Sequence, residues 1–427
     1  MSRRRGRWPA IGLTLQLMGG EFQPRVLHLS ESGTTVARYA VLLVGAIVPL
    51  GVVVARSTLL PAVLRRPPLN WLAAYLAWVC VATVWSIDPT HALQPAAWIV
   101  SVCLYTTWFV SSEGWRAFER TVAFTAVVYI GVGIVAETIN GLGNGRLQGL
   151  MLSATTMGRL GGIVTIIGAS IWSRERADRT LGAVTILFGL FAIYASSTRT
   201  AALALLVIGA WAFVRRTGRS GALVITILTM SLVLAFVFAA DSGIIIISRT
   251  PDGTDFVQQR NGILVLEHTP GGNEYTTGTG RTSVWNAAWH AIKQRPVFGW
   301  GTGSSDRLFQ ELAAEGRLNW IAVTAHNTPL QILVENGAIG LGLFLGAVMA
   351  YRRASKAAPS TVRTSLMLFL VIDGVGESLL DIGRVPLLML AAMFAEAAND
   401  AIAARWTFET HGRRRRAGAD ERLAQAK

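Results

Sequence analysis

Residues 327–356 read NTPLQILVENGAIGLGLFLGAVMAYRRASK. Asn327 and Pro329 are start signals for a helix, and Arg352, Arg353 and Lys356 end the stretch. Between them the apolar run 327–350 has the ~20 residues that a spanning helix needs. Basic residues gather at the cytoplasmic ends of such helices, so this stretch predicts a transmembrane helix that enters from outside and ends inside.

The same pattern recurs along the chain. Further apolar runs, bounded by charge or by Gly and Pro clusters, fall at 37–56, 69–86, 92–110, 119–137, 154–173, 180–196, 200–214, 221–240, 363–380 and 385–404. Of 427 residues 52% are hydrophobic and 15% charged, whereas a soluble domain is about one quarter charged. The expected fold is an all-α integral membrane protein, a polytopic bundle of about 11–12 transmembrane helices. An odd number of passes would put the basic stretches Arg3–Arg7 and Arg413–Arg416 on opposite faces, against the charge rule. A further pass is therefore sought in the weak stretch 9–20 or in a hairpin about Pro49.

From residue 154 onward the register is clearer. Arg174-Glu175-Arg176, Arg215-Arg216-Arg219 and Arg352-Arg353-Lys356 alternate with poorly basic connections, so those three loops are expected on the cytoplasmic side. The stretch 241–325 then becomes one large extracytoplasmic loop containing short amphipathic helices. The resulting organisation is a basic cytoplasmic tail 1–36, an N-terminal bundle 37–240, the loop 241–325, C-terminal transmembrane helices 326–404 and a second basic tail 405–427. Pro24, His28, Glu31 and Arg38 interrupt the start of the chain, which is not the layout of a cleaved signal peptide. Within the loop, 241–280 is rich in Gly, Thr, Asp and Asn, and an irregular segment is expected there. Val284, Trp285, Ala288, Trp289 and Ile292 recur at helical spacing until Pro296, predicting an amphipathic helix on the membrane face. Phe298 to Gly303 should turn the chain, and a second short helix is expected from Ser304 to Ala314.

The net charge of +14 invites a nucleic-acid reading, but the charge sits at the termini and in short runs after apolar stretches. The loop itself holds eight acids against seven Lys or Arg. No aromatic-interleaved basic stripe is present, so no nucleic-acid partner is expected. Cys80 and Cys103 lie inside apolar runs, which argues against a disulfide framework or a metal cluster.

Three constellations carry candidate chemistry. His326 precedes Asn327, the expected N-cap, so it sits beside the positive end of a helix dipole, where a neutral, proton-accepting imidazole is favoured. A general base is one reading and a histidine satisfied at the membrane interface the other. Arg199 lies in Ser196-Ser197-Thr198-Arg199-Thr200, a turn on the outer face. Its guanidinium suits an anionic lipid head group, or it simply snorkels. Arg281 opens the amphipathic helix, with Arg146 in Asn144-Gly145-Arg146-Leu147-Gln148-Gly149 as a companion. Gly299-x-Gly301-x-Gly303 lacks the Lys-Ser/Thr ending of a phosphate-binding loop and no strand precedes it, so a plain turn is expected.

Taken in order, these pieces resemble the O-antigen ligase and O-antigen polymerase superfamily, multi-pass bacterial enzymes acting on polyprenyl-diphosphate-linked glycans. The resemblance rests on Gly280-Arg281 through Trp289, Arg295-Pro296 through Gly303, His326-Asn327-Thr-Pro-Leu-Gln and Glu335-Asn336-Gly337-Ala-Ile-Gly340. Ser197-Thr198-Arg199-Thr200-Ala201, Trp85-Ser86-Ile87-Asp88-Pro89 and Arg146-Leu147-Gln148-Gly149 add to it. It implies that Arg199 and Arg281, with Arg146, bind the donor diphosphate while His326 activates the acceptor hydroxyl; Asn327, Glu335 and Asp381 join them as supporting residues. The implied partners are a polyprenyl-diphosphate-linked glycan donor, a glycan or glycolipid acceptor and the lipid bilayer, at the inner membrane with the site facing out. A diphosphate leaving group needs charge neutralisation more than a proton, so no metal or other cofactor is expected; the spacing Asp252-Gly-Thr-Asp255 is a poor metal site.

A transporter or flippase of lipid-linked glycan is the alternative. Asp373 and Glu377 stand four apart in the run 363–380, one helical turn on the same face, and intramembrane acids mark ion paths. They also suit a buried salt-bridge cluster with Asp381 and Arg384, or support for the catalytic arginines. No pair of broken helices recurs in two halves, as an inverted-repeat transporter would show.

Overall fold

The structure is a computed structural model that describes residues 8–19, parts of 44–55, 63–140, 147–217 apart from 152 and 175, 256–260, 263–267, 281–316, 318, 322–379 and 385–403. Those residues are helical apart from turns and one two-stranded hairpin. In chain order the helices are α1 (Trp8–Gly19), α2 (Leu69–Val81), α3 (Pro89–Glu113), α4 (Trp115–Asn140), α5 (Ala154–Arg174), α6 (Arg179–Ser196) and α7 (Arg199–Thr217). After the hairpin come α8 (Arg281–Gln294), α9 (Ser305–Ala314), α10 (Thr328–Ser355), α11 (Thr361–Gly376) and α12 (Val385–Ala403). Six helical stretches among the described residues are long and apolar enough to cross a membrane, namely those of α3, α4, α5, α6, α10 and α12. The chain is thus an all-α polytopic membrane protein. The run 221–240 lies outside the described residues.

The weak stretch 9–20 forms α1, which at 12 residues is shorter than a full span. It is nevertheless tied into the bundle: the Tyr105 hydroxyl donates to Pro9 O at 2.6 Å and Gln16 Nε2 to Ser101 O at 3.1 Å. The core around it is aromatic, with Trp98, Tyr105, Phe109, Phe118 and Tyr129 all buried. Val84, Phe124, Val135, Ile139, Leu187 and Tyr194 are exposed, as side chains facing lipid should be. Asp88 caps α3 by accepting from His91 N at 3.0 Å. That bond, followed by the Thr90 hydroxyl, holds its carboxyl below the usual carboxylate range.

Helices α5 and α6 meet backbone to backbone. A β-carbon on Gly161 would stand 2.5 Å from Gly189 O, and one on Gly168 2.9 Å from Gly182 O. Small residues at such a seam let membrane helices approach closely. One turn nearer the start of α5, Gly158 takes the turn that follows α6, because a β-carbon there would lie 2.2 Å from Thr198 Oγ1. The seam therefore places the Ser197–Arg199 turn at the same end of the bundle as the start of α5.

The long connection before α10 departs from expectation in two places. The expected irregular segment contains an antiparallel hairpin, β1 (Phe256–Arg260) and β2 (Ile263–Glu267), in register from Phe256 opposite Glu267 to Arg260 opposite Ile263. The sequence between the strands is Asn261-Gly262, the pair that favours a tight hairpin turn. Helix α8 was expected to rest its apolar face on the membrane. Instead Val284, Ala288, Ala291 and Ile292 are buried in a small core with Leu308, Phe309 and Leu312 of α9 and Val334 of α10. Burying a side chain such as Phe309 out of water contributes ~1.5–3 kcal/mol, and the opposite side of α8 leaves Trp289 half exposed.

Helix α10 is broken at Gly337, whose φ of 64° and ψ of −168° are not helical. A continuous helix would bond Ala338 N to Val334 O and Ile339 N to Glu335 O. All four groups instead pair with the segment that follows α8. Trp300 N donates to Val334 O at 2.8 Å and Gly301 N to Glu335 O at 2.9 Å, while Ala338 N donates to Pro296 O at 2.9 Å and Ile339 N to Val297 O at 3.3 Å. The Pro296–Gly301 motif and the Glu335-Asn336-Gly337 motif are two halves of one joint.

Candidate active site

The joint sets the height of everything around it. Glu335, two residues before Gly337, accepts from Ser305 Oγ and Gln331 Nε2, each at 2.7 Å. Gln331 passes the constraint on, since its Oε1 accepts from Ala325 N at 2.8 Å. On the other side of that residue, Trp285 Nε1 donates to Ala325 O at 3.0 Å. His326 follows directly, in the left-handed region at φ 46°, so that its side chain turns away from the helix it precedes.

Asn327 is the N-cap, accepting from Leu330 N at 3.0 Å. It also reaches across to the end of α11, where its Nδ2 donates to Val375 O at 2.9 Å. The Thr328 hydroxyl donates to Glu377 O at 2.9 Å and accepts from Leu379 N at 3.0 Å. The two segments carrying His326 and Glu377 are thus laced together by bonds from the Asn327 and Thr328 side chains to backbone groups. Asp373 and Glu377 do not share a helical face as expected, because α11 ends at Gly376 and Glu377 is extended.

Glu377 is the hub. Its Oε1 accepts from Arg281 Nη2 at 2.6 Å and its Oε2 lies 3.1 Å from His326 Nδ1. The Glu377 side chain is 11% exposed, against 27% for Arg281 and 28% for His326, so the hub is sunk beneath the groups it holds. Below it Arg159, 1% exposed, bonds through Nε to Asp373 Oδ2 at 2.5 Å and brings Nη2 to 3.9 Å from Glu377 Oε2. Two guanidiniums, two carboxylates and one imidazole form a continuous polar column.

Arg199, at the start of α7, is exposed, and the residue beside it touches the column's rim. A β-carbon at Gly376 would stand 3.1 Å from Thr200 Cγ2 and 3.3 Å from Arg281 Nη1. The absence of a side chain at residue 376 is what lets α7, α8 and α11 close on one point. The structure therefore gathers Arg281, His326, Asn327 and the Arg199 turn at one end of the bundle, and gives Glu335 a bracing position about two helical turns further along α10. Arg146 and Asp381 lie outside the described residues. The loop following Arg146 is held at the same end: Glu137 Oε1 accepts from Gln148 N at 2.9 Å and Gly149 N at 2.8 Å, and Leu147 N donates to Ala195 O at 2.8 Å.

Sequence reasoning missed Arg159 altogether and gave Glu377 a different setting. A lone arginine within the run 154–173 was the available signal, since ionisable groups at membrane depth are functional candidates by default. The glycine run 299–303 is the expected turn, and its amides are committed: Gly299, Trp300, Gly301 and Thr302 each donate to a carbonyl. Among the described residues, no three His, Cys, Asp or Glu side chains cluster as a metal would require. Asp373 and Glu377, the acids of the transporter alternative, are both ion-paired.

Residues 184–345 match the family model of the O-antigen ligases. The match runs from within α6 to within α10 and so includes Arg199, Arg281, His326 and both halves of the joint. No curated protein matches the chain.

Proposed function

We propose that this chain, whose match to the O-antigen ligases over residues 184–345 supports a place in the O-antigen ligase and polymerase superfamily, is a glycan ligase or polymerase that draws on a polyprenyl-diphosphate donor at the outer face of the inner membrane. The observation that carries this reading is the convergence of Arg281 and His326 on one carboxylate, with the Arg199 turn at its rim. Guanidiniums bind phosphate oxygens in a bidentate fork. An imidazole fixed through Nδ1 presents its other nitrogen as a proton acceptor.

In the proposed reaction the acceptor hydroxyl oxygen attacks the anomeric carbon of the donor glycan. The bond from that carbon to the phosphate oxygen breaks, and the polyprenyl diphosphate leaves with the electron pair. His326 takes the hydroxyl proton at Nε2. Arg281 and Arg199, with Arg146, offset the charge that develops on the leaving group, the task for which preorganised donors are most effective. Attack opposite the leaving group inverts the anomeric configuration. No step calls for a metal or other cofactor.

Deletion of the gene, followed by analysis of lipid-linked glycans on each leaflet, tests this. The expected result is a polyprenyl-diphosphate glycan accumulating on the outer leaflet, removed by the wild-type gene and not by one carrying His326→Ala. Accumulation on the cytoplasmic leaflet would instead identify a transporter defect, and full complementation by His326→Ala would sink the base assignment.

A further inference from the structure

One carboxylate serves both halves of the proposed chemistry. Glu377 occupies Arg281 through Oε1 at 2.6 Å and His326 Nδ1 through Oε2 at 3.1 Å. A guanidinium holds a carboxylate in the same fork that would hold a phosphate, so the donor's diphosphate and Glu377 compete for Arg281. A released carboxylate left buried with only the His326 imidazole for a partner would be costly. The structure offers it one. Among the described residues Arg159 Nη1 and Nη2 have no hydrogen-bond partner, although both are buried. Arg159 is anchored through Nε to Asp373, and its Nη2 stands 3.9 Å from Glu377 Oε2. A movement of about 1 Å would bring that pair to hydrogen-bond distance.

We propose that Glu377 is a placeholder for the donor's phosphates, held on Arg281 between turnovers and passed to Arg159 when the donor binds, while it keeps His326 in register throughout. Glu377 and Arg159 are then positioning residues, acting through Arg281 and His326 rather than on the sugar. The Arg159–Asp373 pair supplies a fixed counter-charge that the donor does not reach. Donor occupancy and the readiness of the base are coupled because a single side chain answers to both. This rests on the donor reading given above.

The test uses the full chain in lipid nanodiscs with inorganic pyrophosphate as the probe, read by calorimetry, beside steady-state transfer from a lipid-linked donor. In Glu377→Gln the competitor loses its charge, so pyrophosphate should bind about tenfold more tightly, while kcat for transfer falls about 100-fold as His326 loses its orienting carboxylate. Glu377→Asp should restore part of kcat. A purely structural role would lower binding and turnover together. Because Arg159→Met alone leaves Asp373 unpaired, the double variant Arg159→Met/Asp373→Leu is used, and pyrophosphate should bind it about tenfold more weakly than wild type. Pyrophosphate binding that is unchanged or weaker in Glu377→Gln, with wild-type binding intact, overturns the placeholder alone. Absence of binding in both removes the donor reading and the placeholder with it.

Discussion

His326 shows how much of a site can rest on one backbone angle. Its φ of 46° and the bonds on either side of Ala325 aim the imidazole at Glu377, so removal of the ring should cost chemistry and not folding. His326→Ala is expected to reduce transfer by about 100-fold or more, with unchanged abundance in the membrane fraction; equal activity would refute the role. Arg281→Lys is expected to recover little of what Arg281→Ala loses, since an ammonium lacks the planar fork, and donor KM is the measurement. Asp373→Asn probes a different layer. It strands the buried Arg159 charge, and losing one partner of a buried pair costs about 3–5 kcal/mol, which thermal unfolding in detergent would report. His326 and Arg281 were legible in the sequence because each opens a recognisable element. Arg159 was not, because a window of apolar residues absorbs one arginine and because Asp373, which explains it, stands 214 positions away.

At the scale of elements, most helix boundaries followed from charge and proline. Helix α8 begins at Arg281 and ends before Arg295-Pro296, and α9 runs Ser305–Ala314 against an expected start at Ser304. What periodicity could not give was the surface an amphipathic face would choose. Val284 and Ala288 would suit lipid as well as protein; only the nearby apolar side of α9 decides it. The glycines of α10 allow a sharper test. Gly337→Ala puts a β-carbon 2.1 Å from Val297 O at a φ of +64°, and should destabilise by about 1–3 kcal/mol. Gly342→Ala, in the same helix with no atom within 4 Å of the added carbon, should stabilise by ~0.5–1 kcal/mol. Melting temperatures of the two purified variants moving in the same direction would contradict the break as described.

Over the whole molecule, hydropathy and the basic clusters foretold a polytopic helical bundle, while the convergence of α5, α7, α8, α10 and α11 on Glu377 depends on packing between distant segments. The charge rule makes a prediction about orientation: single cysteines at Ser197 and Lys356, in a chain lacking Cys80 and Cys103, should react with an impermeant reagent from opposite sides of the membrane, with Ser197 outside. Labelling of both from one side would overturn the proposed topology. Transfer should also persist in the presence of a chelator, whereas activity lost and then restored by one divalent cation would contradict the metal-free mechanism. The joint at Gly337 carries a further consequence, for biogenesis. The segment 296–301 is synthesised before α10 leaves the ribosome, yet its partners are the backbone groups of residues 334, 335, 338 and 339. Helix α10 therefore enters the bilayer with a gap that lipid cannot fill, and only the waiting loop can close it. Insertion of this helix and closure of the joint become one event, and a nascent chain stalled before residue 339 has neither the joint nor Glu377 with which to assemble a site.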